Sequence, residues 1–373
     1  MVTMTQTLYK KIYPFYVSFL IAGGFAWALA NLWFLKNDYS YFQIVTFSLT
    51  TFATAVILIT LFKELSPALF MRIGVILSMV SSLLLLKFYS GLQPYLIAAI
   101  SGANMLFLWG PYNIVHFKAT RRDQKAFSSS LIFFISPILN IFLPILTGLI
   151  AASFGFQINF IIGFLLFILP LSLSYGLPSY KIKYNIAEDL KKISKLRPFL
   201  LIEGFWETTI FTAIPIFTLF FIKTPKELGI LMAYVAAISA VVSLVFGKAS
   251  DKYKKRTTFL YPLTILLTFS TIGLAFATTL TSWIIFVTAI SVLTTLVQPF
   301  MTALVVDVYP DPSSTMIPRE FLLNLGRFIG VLTILGSLLL FDSPKIAFII
   351  LGLTLCLYPI LLFQKRVYKD IAL

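Results

Sequence analysis

The sequence predicts an all-α integral membrane protein with twelve transmembrane helices in two pseudo-symmetric six-helix bundles. Three observations lead to this fold class. Hydrophobic residues make up 59% of the 373 residues and charged residues only 12%, whereas about a quarter of the residues in a soluble domain are charged. The apolar residues form twelve runs, each with about the 20 residues that a helix needs to cross a bilayer. The cationic residues alternate between successive loops, as in a multi-pass protein.

Each predicted span is an apolar run bounded by charged residues, glycine or proline. In chain order the runs are 12–35, 41–62, 68–86, 92–117, 127–153, 156–175, 199–222, 227–247, 257–279, 281–307, 316–341 and 344–363. The first run follows Lys10 and Lys11 and is too long for the core of a cleaved signal peptide, so we interpret it as a span. The ninth and tenth runs have the least marked boundary, because the turn from Thr279 to Ser282 has no charge.

The loop charges predict which way the chain crosses the membrane. Of the 29 Lys and Arg residues, 23 lie in one set of alternate loops, 5 lie in the other set, and Arg327 lies within a span. Cationic loops stay on the cytoplasmic side, so we expect both termini in the cytoplasm and the protein in the plasma membrane. The net charge of +15 is then explained by loops that face anionic lipid. We therefore expect a lipid bilayer around the protein and no nucleic acid partner.

The chain divides into two halves joined by a polar linker. The predicted boundaries are residues 1–176, 177–198 and 199–373. The halves show a weak internal repeat, since Pro14-Phe15 and Pro198-Phe199 each open a span and lie 184 residues apart. An offset near half the chain length is expected of two parallel six-helix bundles.

The linker is predicted to contain an amphipathic helix. Its apolar residues recur at helical spacing, at Ile186, Leu190, Ile193 and Leu196. Asn185 and Glu188 have the pattern of a capping box at the start of this helix. We expect the helix to lie on the inner membrane surface, with a solvated linker helix as the alternative.

The turn between the eighth and ninth spans, Phe246 to Arg256, holds five cations and one acid. Gly247 permits a close approach of helices. Asp251 can interact with the positive end of a neighbouring helix, and the cations with carboxylates, helix carbonyl groups and lipid head groups. Such contacts form in one arrangement of the two halves and break in the other, so they can gate a two-state motion. A turn that only determines topology is the alternative.

This turn carries a family resemblance. Its pattern, Gly-x-x-Ser-Asp-Lys-x-x-Lys-Arg, resembles the cytoplasmic-loop motif of the major facilitator superfamily of transporters. Shorter fragments resemble other motifs of that family: Gly102, Pro111 and Arg122; Ser136-Pro137 with Gly148; and Asp307, Pro310, Arg319 and Gly330. The resemblance implies the family's fold, alternating access, and gating by Gly247, Asp251, Lys252, Lys255, Arg256, Asp307 and Arg319. The equivalent turn of the first half departs from the motif, because Pro67 stands where the acid belongs.

Three charged residues lie clearly inside predicted spans, where burying a charge costs at least a few kcal/mol, so each is a functional candidate. Glu203 and Glu207 are four residues apart and share a helical face. At 1.5 Å per residue, Glu207 and Arg327 lie roughly 13 and 16 Å from the inner ends of their helices, so the two can meet. We hypothesise that one of the glutamates exchanges a proton beside Arg327. A structural ion pair between two helices is the alternative.

Uncharged polar and aromatic residues within the spans are candidates for a substrate cavity. They are Trp27, Asn31, Asn104, Asn113, Trp206, Gln298 and Asn324, with Trp109, Tyr112 and Phe300 as further aromatic residues. Together they would form a broad, weakly polar pocket suited to a lipophilic or weakly charged organic solute. For any one of them, hydrogen bonding between helices or packing toward lipid is the alternative.

The sequence also argues against several functions. It has no Walker pattern for ATP, no cluster of metal ligands and a single cysteine, Cys356, so we expect no cofactor, no metal and no enzymatic activity. We predict a secondary transporter that moves a small organic solute by alternating access. Proton coupling and export of a lipophilic compound are hypotheses; a uniporter, an uptake symporter and a non-transporting membrane protein are the alternatives. The sequence leaves the oligomeric state open and is compatible with a monomer.

Overall fold

The computed structural model describes residues 2–119, 125–250, 257–309 and 311–365. Within them the chain is almost entirely helical and forms twelve spans, numbered in chain order. They are span 1 (Val2–Trp27 and Ala30–Lys36), span 2 (Tyr41–Leu61), span 3 (Pro67–Leu84), span 4 (Gln93–Asn104 and Gly110–Ala119), span 5 (Lys125–Phe154), span 6 (Phe156–Leu166 and Ile168–Ser174), span 7 (Arg197–Thr208 and Ile214–Phe217), span 8 (Pro225–Ser250), span 9 (Thr257–Leu274), span 10 (Leu280–Val308), span 11 (Pro312–Phe341) and span 12 (Lys345–Lys365). The predicted fold class is confirmed, and most span ends lie within a few residues of the prediction.

Among the described residues, nine of the spans contain a helix that is long and apolar enough to cross a membrane, judged by length and composition alone. Spans 5 and 9 contain shorter apolar helices, Ile138–Phe154 and Phe259–Leu274. Span 4 is interrupted by a π-helical turn at Met105–Trp109, and span 7 by a second one at Thr209–Ala213. Single π turns inside α-helices are frequent at functional sites. These two turns therefore indicate a functional site between spans 4 and 7.

Spans 7 and 11 cross so closely that only glycine fits at their contact. A Cβ on Gly204 of span 7 would overlap the carbonyl oxygen of Leu323, and one on Gly326 of span 11 would lie 2.5 Å from the Leu201 carbonyl oxygen. A larger residue at either position would force the helices apart. The crossing therefore depends on both glycines, and it brings the polar side chains of the two spans together.

The bundles meet mainly along two helix pairs, span 2 with span 11 and span 5 with span 8. The Tyr41 hydroxyl of span 2 donates a hydrogen bond of 2.9 Å to the Leu219 carbonyl oxygen, just beyond the helices of span 7. On the other seam Gly148 of span 5 meets Gly229 of span 8, and a Cβ on Gly148 would lie 2.7 Å from the Pro225 carbonyl oxygen. Both contacts lie toward the membrane face opposite the chain termini, so the bundles are in close contact there.

A short β-sheet, absent from the sequence predictions, holds the linker to the first bundle. Ile182–Lys183 pairs antiparallel with Glu64–Leu65, which lies between spans 2 and 3. The Tyr184 N–H donates to the Lys63 carbonyl oxygen at 2.9 Å, and the buried Tyr184 hydroxyl donates to the Ile59 carbonyl oxygen at 3.2 Å. We call this strand pair, together with Tyr184, the linker clasp.

An exposed ion pair lies beside the linker clasp and adds little to it. Lys181 Nζ donates a hydrogen bond of 2.9 Å to Glu64, and this bond and the ammonium charge hold the pKa of Glu64 below its usual value. A carboxyl with a lowered folded-state pKa stabilises the protein at neutral pH, and this contribution is lost as the pH falls through that pKa. Both side chains are largely exposed, so the effect is small. The clasp thus depends on its backbone pairing and on Tyr184.

Replacing Tyr184 with alanine is expected to release the linker clasp, because it removes a buried ring and the hydroxyl hydrogen bond. Trypsin should then cleave after Lys181 or Lys183 about tenfold faster than in the wild type, as followed by gel electrophoresis of the purified protein. Tyr184→Phe is the control and should give an intermediate rate, since it loses one hydrogen bond of about 0.5–1.5 kcal/mol. Equal rates in the alanine variant and the wild type would show that Tyr184 does not hold the linker.

The predicted linker helix is present, but it is shorter and packs on the protein. It covers Ile186–Lys192, and the apolar residues that follow it, Ile193 and Leu196, are completely buried within the protein. The prediction that these residues lie on the membrane surface is therefore wrong. The cap differs as well, because Asp189, one residue later than predicted, accepts the reciprocal hydrogen bond from the Asn185 N–H at 3.1 Å.

Candidate functional site

A cavity of about 320 Å³ lies between the two bundles, in the half of the membrane nearer the chain termini. We call it the charged cavity. Spans 1 and 4 line one side, and spans 7, 10 and 11 line the other. The lining residues are Tyr16, Met105, Trp109, Tyr112, Asn113 and Phe117 on the first side, and Glu207, Phe211, Gln298, Thr302, Arg319, Glu320 and Arg327 on the second. Within the described part of the chain, all charged residues that line this cavity thus belong to the second bundle.

Spans 7 and 11 supply five charged side chains at and beneath this cavity. Glu203 and Glu207 lie one turn apart on span 7, and Arg319, Glu320 and Arg327 lie on span 11. None of the five is more than 8% exposed. Span 11 begins four residues earlier than predicted, so Arg319 lies seven residues, or roughly 10 Å, beyond the start of the helix. The close crossing at the glycines brings these charges together.

Arg327 and Glu207 form a salt bridge across the helix crossing. The Nη2 and Nε atoms of Arg327 donate to Glu207 Oε2 at 2.6 and 3.0 Å. Gln298 of span 10 donates to the other carboxylate oxygen at 2.9 Å, and Asn324 accepts from Arg327 Nη1 at 3.2 Å. The guanidinium also lies 4.7 Å from the ring centroid of Phe211, within the range of a cation–π interaction. In this pair one positive charge balances one negative charge.

Arg319 is shared by two carboxylates. Its Nη2 donates to Glu203 Oε1 at 3.3 Å, and its Nη1 donates to Glu320 Oε1 at 3.0 Å. Asn113 of span 4 donates to the same oxygen of Glu320 at 3.1 Å, which joins the cluster to the first bundle. We call Glu203, Arg319 and Glu320 the carboxylate triad. One guanidinium faces two carboxylates in it.

The whole cluster contains more acids than bases. Among the described residues it has three glutamates and two arginines, and an arginine stays cationic in a protein. Fully ionised, the cluster would carry one uncompensated negative charge. A charge removed from water without a partner costs several kcal/mol, so we expect a proton or a bound cation to balance it.

The arrangement of the spans and the sequence itself identify the family. A sequence model described as the Major Facilitator Superfamily matches residues 14–316. The chain belongs to this superfamily. The crystal structure of the human organic anion transporter MFSD10 (TETRAN) is similar over 96% of this chain and 99% of that one, with a TM-score of 0.69 and 12% sequence identity. At that identity the likeness shows the fold alone.

The family match confirms the resemblance predicted from the loop motif. Major facilitator transporters carry small solutes across membranes, so this chain is a multi-pass membrane transporter. The superfamily is generally non-enzymatic. No curated protein sequence matches the chain.

The cluster in this major facilitator chain contains one predicted ion pair and one that the sequence does not predict. Arg327 contacts Glu207, as the helix depths predict, whereas Glu203 contacts Arg319. Arg319 is predicted as part of a gate near the membrane surface, and that placement is wrong, because the earlier start of span 11 carries it into the buried cluster. Of the other predicted gating residues, Gly247 lies near the end of span 8 and Asp307 near the end of span 10. The remaining four, Asp251, Lys252, Lys255 and Arg256, lie outside the described residues.

Several predicted cavity residues lie at or near the charged cavity. Four of them line it, Trp109, Tyr112, Asn113 and Gln298. Asn324 is fully buried and contributes through its hydrogen bond with Arg327. Asn31 lines a second cavity, and Phe300 stacks on a phenylalanine ring of span 9. The position of a polar or aromatic residue within a predicted span therefore predicts part of the lining of the charged cavity.

Three predicted cavity residues do not line the charged cavity and instead contact other residues of their own bundle. Asn104 donates to Ser78 Oγ at 3.0 Å within the first bundle. Trp206 donates to Thr271 Oγ1 at 2.9 Å within the second bundle. Trp27 packs against phenylalanine rings of spans 1 and 6. In each case a neighbouring helix offers a partner that the sequence does not reveal.

Glu320 is the main candidate that the sequence predictions miss. Placing the start of span 11 at residue 316 leaves Glu320 close to the membrane surface. A signal is nevertheless present, because Glu320, Asn324 and Arg327 recur at the spacing i, i+4, i+7 and share one face of a helix. Tyr16 and Phe211 also line the cavity, and no pattern in the sequence distinguishes them from the many other aromatic residues.

Proposed function

We propose that this chain is a proton-coupled secondary transporter that exports a small organic solute by alternating access. The observation that supports proton coupling is the carboxylate triad, in which one guanidinium faces two buried carboxylates at a cavity between the bundles. A proton on the triad would remove the uncompensated charge without any other ion. The three residues are contributed by spans 7 and 11, which cross too closely to separate independently.

The triad also contacts the first bundle. This contact would link the charge of the triad to the movement of the two bundles during alternating access. Glu320 accepts a hydrogen bond from Asn113 across the cavity at 3.1 Å. A hydrogen bond to an ionised acceptor is roughly twice as strong as one to a neutral acceptor. Protonation of Glu320 would therefore weaken its contact with Asn113. That contact exists only while the bundles are close together on the side of the chain termini. By favouring one arrangement over the other, the proton shifts the equilibrium between them.

Other parts of the proposal extend the sequence predictions. The bundles correspond to residues 1–176 and 199–373, joined by the linker 177–198, with both termini in the cytoplasm and the protein in the plasma membrane. The loop motif from Gly247 to Arg256 gates the motion. The aromatic lining of the cavity favours a lipophilic solute. A uniporter needs no titratable site, so the triad favours coupling over uniport, while an uptake symporter differs only in the direction of the solute.

The test uses proteoliposomes that contain a pH-sensitive dye and are exposed to a panel of organic solutes. For a transported solute, the wild type should move protons against the direction of the solute. Glu203→Gln and Glu320→Gln, singly and together, should reduce this proton movement about tenfold or more. Counterflow of the solute without a pH gradient should continue in Glu203→Gln, because Glu203 is not among the described residues that line the cavity.

Glu227→Gln is the matched control, since Glu227 is an exposed carboxylate in the first turn of span 8. It should behave as the wild type. Proton movement that is unchanged in all the triad variants would exclude coupling at the triad. Solute flux without proton movement would indicate a uniporter, and protons moving with the solute would indicate a symporter.

A further inference from the structure

We infer that the solute is an organic cation with an apolar or aromatic body, held between the carboxylates of the charged cavity and a wall of aromatic side chains. The inference rests on the proposed function, because the charge that the cation would balance is that of the deprotonated triad. Three features support it: the aromatic wall, the occupied guanidinium groups and a nearby apolar cavity.

The aromatic wall is formed by Tyr16, Trp109 and Tyr112 of the first bundle. The rings of Tyr16 and Tyr112 are stacked with their centroids 4.8 Å apart, and Trp109 meets Tyr112 edge-on at 6.1 Å. Glu320 approaches this wall, because it accepts a hydrogen bond from Asn113, the residue next to Tyr112. The faces of aromatic rings attract cations. A cation in the cavity would therefore be attracted both by the carboxylates and by the rings.

The two arginines are poor sites for an anionic solute, because most of their donors are in use. Arg327 donates through three nitrogens to Glu207 and Asn324, and Arg319 donates through two nitrogens to the carboxylates of the triad. Among the described residues, Arg319 Nε is the one guanidinium nitrogen of the cluster without a hydrogen-bond partner, and it is itself buried, so it is not open to a solute. An anion would add to the negative excess.

A second cavity of about 360 Å³ lies nearer the opposite membrane face. None of the described residues that line it is charged. Most are aliphatic, and the polar ones carry hydroxyl groups or, at Asn31 and Asn140, amides. Ile210 lines this cavity and the next residue, Phe211, lines the charged one, so the π turn at Thr209–Ala213 contributes to the walls of both. The apolar body of the solute would occupy this second cavity while its cationic group faces the triad.

Among the described residues that line the charged cavity, those outside the triad add no net charge. Arg327 balances Glu207, and span 10 contributes the uncharged side chains Gln298 and Thr302. Among the described residues, the other titratable groups here are Tyr16 from span 1 and Tyr112 from span 4, which line the cavity, and His116, which stacks on Tyr112 with the ring centroids 5.8 Å apart. The excess charge is therefore that of the triad.

The test compares tetraphenylphosphonium with tetraphenylborate, two ions of the same shape and opposite charge. Binding to the purified full-length protein in detergent is measured by isothermal titration calorimetry, with protein-free micelles as the blank. Tetraphenylphosphonium should bind at least about tenfold more tightly than tetraphenylborate. Its affinity should fall as the pH is lowered, because protons balance the same charge, whereas that of tetraphenylborate should not fall. Glu320→Gln should weaken binding of the cation about tenfold, and Glu227→Gln should leave it unchanged.

Tetraphenylborate binding as tight as that of tetraphenylphosphonium would overturn the inference. A cation affinity that changes neither with pH nor in Glu320→Gln would overturn it as well. If that variant does not fold, as judged by size-exclusion chromatography, the pH series on the wild type decides. Because binding is measured without transport, an absence of selective cation binding would overturn the cation inference and leave the proposed proton coupling standing. Selective cation binding without proton movement in proteoliposomes would overturn only the proton coupling.

Discussion

Replacing Arg327 with methionine is expected to destabilise the protein by about 3–5 kcal/mol, because it leaves a buried carboxylate without its charged partner. Glu207 is 2% exposed and accepts two hydrogen bonds from Arg327, at 2.6 and 3.0 Å. Gln298 donates to the other oxygen at 2.9 Å, but an amide supplies no positive charge. Methionine fills much of the space of the arginine stem, so the variant chiefly removes the charge and its hydrogen bonds.

The effect is measured as the fraction of protein that stays folded on heating or in urea, in detergent, together with solute transport in proteoliposomes. Transport should fall to background, because Arg327 both lines the charged cavity and joins span 11 to span 7. The double variant Arg327→Met, Glu207→Gln removes both charges and should recover most of the lost stability. It should remain defective in transport.

Arg197→Met is the control for the loss of an arginine as such. Arg197 is exposed at the start of span 7, and a surface substitution of this kind changes stability by less than about 0.5 kcal/mol. If Arg327→Met proved as stable as the double variant, the buried Glu207 carboxylate would cost no stability in the absence of Arg327. The salt bridge would then not contribute to the stability of the helix crossing.

The spans are predictable because each is determined by its own sequence. A bilayer offers the backbone no hydrogen-bond partner, so a run of about 20 apolar residues forms a helix whatever its neighbours do. The start of span 11 is missed because residues 312–315 are polar or proline. Asp311 caps this helix, with its carboxylate accepting from the Ser313 N–H at 3.1 Å. An Asp followed by Pro is a helix-start signal, and it places Arg319 and Glu320 inside the span.

The contacts of the site cannot be predicted in the same way, because they join distant parts of the chain. Glu320 and Asn113 are 207 residues apart, and their contact depends on how the two bundles meet. A polar residue within a span can face a cavity or a neighbouring helix with the same local sequence. Asn104 and Trp206 face neighbouring helices for this reason. The strands of the linker clasp have two residues each, too few to show an alternating pattern.

Replacing Gly229 with alanine is expected to hold the bundles apart at the membrane face opposite the termini. A Cβ at this position would overlap the Pro144 carbonyl oxygen of span 5, a backbone atom that cannot move unless the helix moves. Gly148 lies across the same seam, and a Cβ on it would be 3.3 Å from the Gly229 Cα. Alternating access requires the seam to close in one state and open in the other. A clash that exists only in the closed state shifts the equilibrium toward the open one.

We expect solute transport by Gly229→Ala to fall about tenfold or more, while the solute still binds to the purified protein. The seam is measured as the distance between spin labels at positions 149 and 230, where Leu149 and Ile230 are both exposed, in a chain whose Cys356 is replaced by serine. This distance should be longer in the variant than in the wild type. A wild-type rate of transport with an unchanged distance would contradict a moving seam.

Gly336→Ala on span 11 is the matched control, since no described atom outside its immediate surroundings lies within 4 Å of a Cβ at that position. Alanine favours a helix over glycine by about 0.8–1.0 kcal/mol. Helix propensity therefore stabilises both Gly229→Ala and Gly336→Ala, and a loss of stability in either variant would have to come from a clash. Gly336→Ala should therefore transport normally and be at least as stable as the wild type. If Gly229→Ala binds the solute but does not transport it, the two functions belong to different parts of the chain. The charge cluster on spans 7 and 11 then accounts for binding, and the glycine seam of spans 5 and 8 accounts for movement.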